Sequence, residues 1–210
     1  LQTLQRRAED PGDVASDAFR KALFGQHPYA HNTLGIERQL RQFTKADVQQ
    51  YFRNNIQKSN LTISVVGAIS ADELKPLLDE AFGAIPSDNP ANYISDAPQP
   101  VTAGTINIPR DVNQANILMG QLGISRDSPD YYSAFVLNHI LGGSALNSRL
   151  GEVVRKQNGL AYSVNSAFIP LPKKGYFVVS LQTKTESAPQ AIDLVKKEIE
   201  LIRTTPVTAE

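Results

Sequence analysis

The chain has no cysteine and only three histidines, His27, His31 and His139, in 210 residues. Without cysteine there is no disulfide, no thiolate-bound zinc and no cysteine nucleophile. So few histidines leave little room for a metal site. Charge of one sign is missing too. The 21 Lys+Arg balance 21 Asp+Glu, which excludes a generally basic nucleic-acid binder and an acidic solvating tail. Long apolar runs are equally absent. The best, from Leu61 to Ile69, falls far short of the ~20 residues that span a bilayer and is broken by Thr, Ser and Gly. No Gly-x-x-x-x-Gly-Lys-Ser/Thr, Gly-x-Ser-x-Gly or Gly-x-Gly-x-x-Gly occurs, so phosphate cradles and the serine-hydrolase elbow are unsupported. The first residue is Leu1 with no signal-peptide pattern after it, which reads as a processed product or a fragment.

What is present divides near the middle. Pro86, Pro90, Pro98, Pro100 and Pro109 punctuate residues 83–112, and each Pro removes an N–H and restricts the residue before it. Residues 86–105 therefore read as a linker between a first unit, 1–85, and a second, 106–210. In the first unit, helices are expected over Ala15 to Phe24, from the N-cap Thr44 with Asp47 in its first turn, and from the N-cap Ser70 with Asp72 and Glu73 following. Alternating β-branched residues from Leu61 to Val66 predict a strand.

In the second unit, Ala115 to Leu122 reads as a buried strand, and Ser128-Pro129 opens a helix to about Leu141 that Gly142-Gly143 ends. A short helix from Ser148 to Lys156 follows. Strands from Leu160 to Ile169 and Tyr176 to Thr183 flank a hairpin turn, and Ala188 to Arg203 carries an apolar stripe. Strands mixed with helices, some joined by a hairpin, predict an α+β fold with largely antiparallel sheets.

Chemistry-bearing residues are few. His27 and His31 are four apart, a spacing that suits two ligands on a helix, but Pro28 between them favours a loop-anchoring role. Arg155 closes the expected helix and Tyr162 opens the next strand, with Gly159 turning the chain between them. Held on neighbouring rigid elements, this pair could donate two hydrogen bonds to one oxygen. Equally, Arg155 could cap its helix while Tyr162 packs with a wet hydroxyl.

The order of these segments resembles a family. The runs FGQHPYAHNTLG, LTISVVGAIS and NHILGGSALNSRLGEVVRKQNGLAYSV, separated by the Pro-rich stretch, look like the pitrilysin/insulinase/mitochondrial-processing-peptidase family of zinc peptidases over nearly the whole chain. The resemblance implies two similar α+β domains facing each other, one with an inverted His-x-x-Glu-His zinc motif. The other supplies an Arg–Tyr pair that contacts the substrate. By that match Arg155 and Tyr162 are the pair, residues 1–85 are the back part of one repeat, and 106–210 are the front part of the next. Gly142 and Gly143 either line the chamber wall as a substrate-binding loop or simply end a helix.

His-x-x-Glu-His itself is nowhere in the chain. On the helix where the resemblance would place it, Phe135, Asn138 and His139 stand at the three positions, and one imidazole cannot replace three zinc ligands. No metal ligand set or cofactor is therefore expected in this chain, which alone should be inactive. Zinc is expected in a catalytic partner domain or subunit, and a peptide is the expected substrate. Neither a nucleic-acid partner nor a membrane span is expected. A catalytically silent scaffold of the same fold is the alternative. The sequence does not give the compartment, and a bacterial periplasmic or envelope location rests on the resemblance alone.

Overall fold

The computed structural model describes residues 2–87, 98–99, 102–144 and 147–207. Packing divides the chain into two compact units, Leu1–Leu34 with Asp96–Glu210, and Gly35–Ser95. The Pro-rich stretch expected as a linker lies mostly outside the described residues.

Among the described residues, the larger unit is built on a three-stranded sheet in the order β1-β3-β2, with both pairings antiparallel. The strands are β1 (Gln114–Leu122), β2 (Ala161–Ile169) and β3 (Tyr176–Lys184). Helix α1 covers Gln2–Glu9 and α2 covers Pro11–Phe24. Helix α2 begins earlier than its apolar spacing predicts, because Asp10 accepts the Asp13 N–H and Pro11 supplies the fixed φ of a first turn. It lies on β1, and Gly120 makes this possible. A Cβ there would come within 2.8 Å of the Phe19 ring as well as striking the Phe177 carbonyl. An aromatic cluster of Phe19, Phe24, Tyr29 and Tyr176 fills the space below, with ring centroids 5.6–5.9 Å apart. His27 caps the short turn Pro28–Ala30 by accepting the Tyr29 N–H at 3.2 Å, in keeping with a loop-anchoring role.

The main core gathers Leu141, Leu150, Val154, Ala161, Val164, Val179, Leu181, Ala191 and Val195. The last two belong to the helix Ala188–Thr204, whose apolar stripe covers this face. The helix expected to run to Leu141 is α-helical from Tyr131 to Asn138 only, then widens into a π-helical turn, His139–Gly143. The short helix expected after it is also π-helical, Gly151–Gln157. Sequence spacing of three and four does not separate α from π geometry, so this distinction comes from packing.

In the second unit, the helices Lys45–Asn55 and Ala71–Phe82 begin where their caps predict. Both starts are reciprocal capping boxes, Thr44 with Asp47 and Ser70 with Glu73. The predicted strand at 61–66 is different. Those residues join no ladder among the described residues, and Val66 is 102% exposed with Ile63 and Val65 also exposed. Alternation announces a two-faced segment but not a neighbour. A strand forms only where another segment offers its backbone groups.

Numbered in chain order, the helices are α1, α2, α3 (Glu37–Leu40), α4 (Lys45–Asn55), α5 (Ala71–Phe82), α6 (Tyr131–Asn138) and α7 (Ala188–Thr204). The backbone N–H and hydroxyl of Thr44 hold the Asp47 carboxyl below its ordinary value, and the hydroxyl and backbone N–H of Ser70 do the same for Glu73. A depressed folded-state pKa stabilises above the unfolded value and loses that contribution as pH falls through the folded value. Helicity of α4 and α5 should therefore hold at neutral pH and weaken below about pH 4. Thr44→Ala and Ser70→Ala should blunt that acid response, as amide NMR shifts followed through a pH titration would report.

Candidate functional site

The segment from Ser148 to Leu160 is pinned at one end by burial. Leu150 and Val154 are 0% exposed, which orients the π-helical turn between them. Ser148, also buried, accepts the Gly151 N–H at 3.2 Å and starts that turn. Arg155 follows Val154 directly and ends half-buried, at the rim of the core.

Beyond Arg155 the chain reverses through a dense set of hydrogen bonds. The Arg155 carbonyl accepts the N–H of both Asn158 and Gly159, and the Val154 carbonyl accepts that of Leu160. Asn158 Nδ2 donates to the Val153 carbonyl at 2.8 Å. Gly159 sits at φ +61°, a left-handed conformation that a side chain would strain. Thr183 Oγ1, on β3, then donates to the Leu160 carbonyl at 2.6 Å and delivers the chain to the sheet.

Tyr162 is the second residue of β2 and is 88% exposed. The Arg155 guanidinium carbon lies 5.5 Å from the centroid of its ring. That contact falls within cation–π range and is worth about 0.5–1 kcal/mol at an exposed site. Neither polar head is consumed by a hydrogen bond or ion pair to the described residues. The structure thus brings together the two residues that the seven-residue spacing separates. Five N–H groups and one phenolic O–H stand side by side at an open surface, a set that donates to a carbonyl or carboxylate oxygen.

Gly142 and Gly143 occupy the π-helical turn after α6. A Cβ on buried Gly142 would lie 2.5 Å from Ser166 Oγ and 2.9 Å from Leu150 Cδ1. One on exposed Gly143 would lie 2.9 Å from Asn138 Nδ2. Gly142 therefore permits close approach of this turn to β2, and Gly143 lets the turn fold back on Asn138 at the end of α6. Asn138 cements the approach to β2, donating to the Ser166 carbonyl at 3.1 Å and accepting from Ser166 Oγ at 2.8 Å.

These contacts decide whether the helix could hold zinc. Asn138 is committed to β2, Phe135 is a 59% exposed hydrocarbon, and His139 is exposed. A single imidazole among an amide and a phenyl ring does not fit a zinc site. Among the described residues, no group of three or more His, Asp or Glu is placed to hold a metal.

One pair escaped the sequence reading. Glu198 on α7 is 6% exposed and accepts from Arg149 Nε at 2.9 Å, tying the start of the Arg155 segment to α7. The signal was available. Glu198 interrupts an otherwise apolar stripe of Ala191, Leu194, Val195, Ile199 and Ile202, and a carboxylate there needs a partner. Replacing Arg149 by Ala leaves that carboxylate buried without its cation. Because the arginine side chain remains about a third exposed, solvent relieves part of the loss, and denaturant unfolding should show a cost of about 1–3 kcal/mol. Arg149→Ala/Glu198→Leu should recover most of it.

Comparison with known proteins agrees with this architecture. Residues 42–210 match the sequence profile described as the peptidase M16 inactive domain. A crystal structure of a peptidase M16 inactive domain from Pseudomonas fluorescens superposes with a TM-score of 0.89 at 31% identity, over 99% of this chain and 50% of that one. Uncharacterized zinc proteases of Mycobacterium leprae and Bacillus subtilis (YmxG) are 30% and 27% identical over 80% and 95% of the chain. The chain spans only 38% and 48% of those two relatives, about half their length or less. With its α+β fold and its match over most of its residues, the chain belongs to the peptidase M16 zinc-protease family, as an inactive domain.

Proposed function

We propose that this chain is the non-catalytic, substrate-contacting part of a zinc metallopeptidase, and that Arg155 and Tyr162 bind a peptide for a zinc site on another domain or subunit. The carrying observation is the placement of the two side chains: adjacent, at an open surface, with their donors free of other described partners. A scissile peptide carbonyl gains negative charge as it is attacked, so donors held beside it stabilise the transition state more than the ground state. The guanidinium and the phenol are suited to that task. The chain's own helix α6 does not fit the metal, so the zinc ligands belong elsewhere, and the turn of Gly142 and Gly143 is part of the chamber wall in this reading. In this reading residues 1–85 and 106–210 are parts of two repeats of the larger protein. The strand-patterned residues 61–66, lacking a ladder among the described residues, are consistent with a sheet completed by another segment.

A second reading is a catalytically silent scaffold of the same fold. The apolar side chains left exposed on α6 (Tyr132, Phe135, Val136) and on α4 (Val48, Tyr51, Phe52) favour it, because contiguous apolar faces mark surfaces that meet a partner.

One experiment separates the two. In the assembly with its zinc-bearing counterpart, Tyr162→Phe should lower kcat by roughly 10- to 1000-fold and leave KM nearly unchanged. Unaltered turnover would leave the scaffold reading in place. The isolated chain should hold no stoichiometric zinc by elemental analysis and cleave no peptide; a tightly bound equivalent of zinc or zinc-dependent cleavage would overturn the reading.

A further inference from the structure

Strand β2 is not regular where Tyr162 leaves it. Ala161 pairs with Thr183 and Val164 with Leu181, and the register shifts between them. Three steps along β2 therefore match two along β3, so Tyr162 and Ser163 together stand opposite Gln182. This is a β-bulge with one extra residue.

Exposure bears the same mark. Ala161 and Val164 are buried, while Tyr162 and Ser163, consecutive in the chain, are both exposed. In a regular strand consecutive side chains alternate between faces. The extra residue is not there to serve the core. With Ser163 removed, Ala161-Tyr162-Val164 would still read in, out, in, and both buried residues would keep their partners on β3. Nor does the Ser163 hydroxyl bond to any described residue. What a bulge does is bend the strand and increase its local twist, which changes the direction of the outward side chain.

That side chain is Tyr162, and its surroundings are fixed on both sides. Before it, Leu160 is held by Thr183 and Val154; after it, Val164 is held by Leu181 and the core. All the freedom in aiming the ring lies in the two bulged residues. We propose that Ser163 is a positioning residue that acts through the bulge, aiming the Tyr162 phenol alongside Arg155 so that both donors meet one ligand oxygen. The bearing on catalysis rests on the function proposed above, whereas the geometric coupling does not.

The test uses deletion of Ser163 beside Ser163→Ala, which removes the hydroxyl but keeps the bulge. In protein labelled with 3-fluorotyrosine, the Tyr162 resonance is identified by its loss in Tyr162→Phe. It should shift on Arg155→Ala in the parent and fail to shift in the deletion background. In the assembly with the zinc-bearing counterpart, the deletion should lower kcat about tenfold or more with little change in KM, while Ser163→Ala stays near parent. Persistence of the Arg155-dependent shift in the deletion overturns the inference. So does full turnover of the deletion where Tyr162→Phe is slow, and so does a Ser163→Ala defect equal to that of the deletion. If Tyr162→Phe itself leaves turnover intact, the proposed function fails, and the fluorine coupling still decides the bulge. Should the deletion not fold, Tyr162→Ser/Ser163→Tyr moves the phenol one position along the same bulge between two exposed sites. Loss of the coupling there supports aiming at position 162, and its retention overturns it.

Discussion

Burial of Leu150 and Val154 beneath β2, β3 and α7 is the constraint on which the rest of the larger unit depends. Two residues that are 0% exposed, four apart, leave the π-helical turn a single orientation. Arg155 is then set at the rim by its neighbour. The reversal through Asn158 and Gly159 needs no core of its own, because the carbonyls of Val153, Val154 and Arg155 supply its hydrogen bonds. A stiff anchor followed by a hydrogen-bonded turn brings an arginine and a tyrosine together, neither of them fully buried.

The neighbouring helix shows the opposite use of the same sheet. Asn138, Ser166 and Gly142 lock the end of α6 onto β2 through two hydrogen bonds and a glycine-to-serine approach. An amide paired with a serine is a structural fastening, not a ligand set. The polar residue of the helix, Asn138, faces the sheet.

Much of the architecture was legible in local residues. Thr44 with Asp47 and Ser70 with Glu73 announce helix starts because the cap satisfies orphan N–H groups within four residues. Strands β1, β2 and β3 and helix α7 fall close to where their patterns place them. The failures share a cause. Residues 61–66 alternate as a strand does, yet alternation carries no information about a pairing partner. Likewise the π-helical turns at 139–143 and 151–157 are too short for their apolar spacing to be told from that of an α-helix. Glu198 could have been found as a carboxylate within an apolar stripe, but its partner Arg149 is 49 residues away and nothing local names it.

For the candidate site, sequence determined the residue types and the linkage: Arg155, a glycine turn, and Tyr162 seven residues on. Those follow from covalent order and from the need for Gly159 at positive φ. Only tertiary structure decided that the guanidinium and the ring stand 5.5 Å apart, that the tyrosine is almost wholly exposed, and that an extra residue in β2 lies beside it. Each depends on the register of β2 against β3. Register is set by which side chains the whole sheet can bury, a property of no single segment.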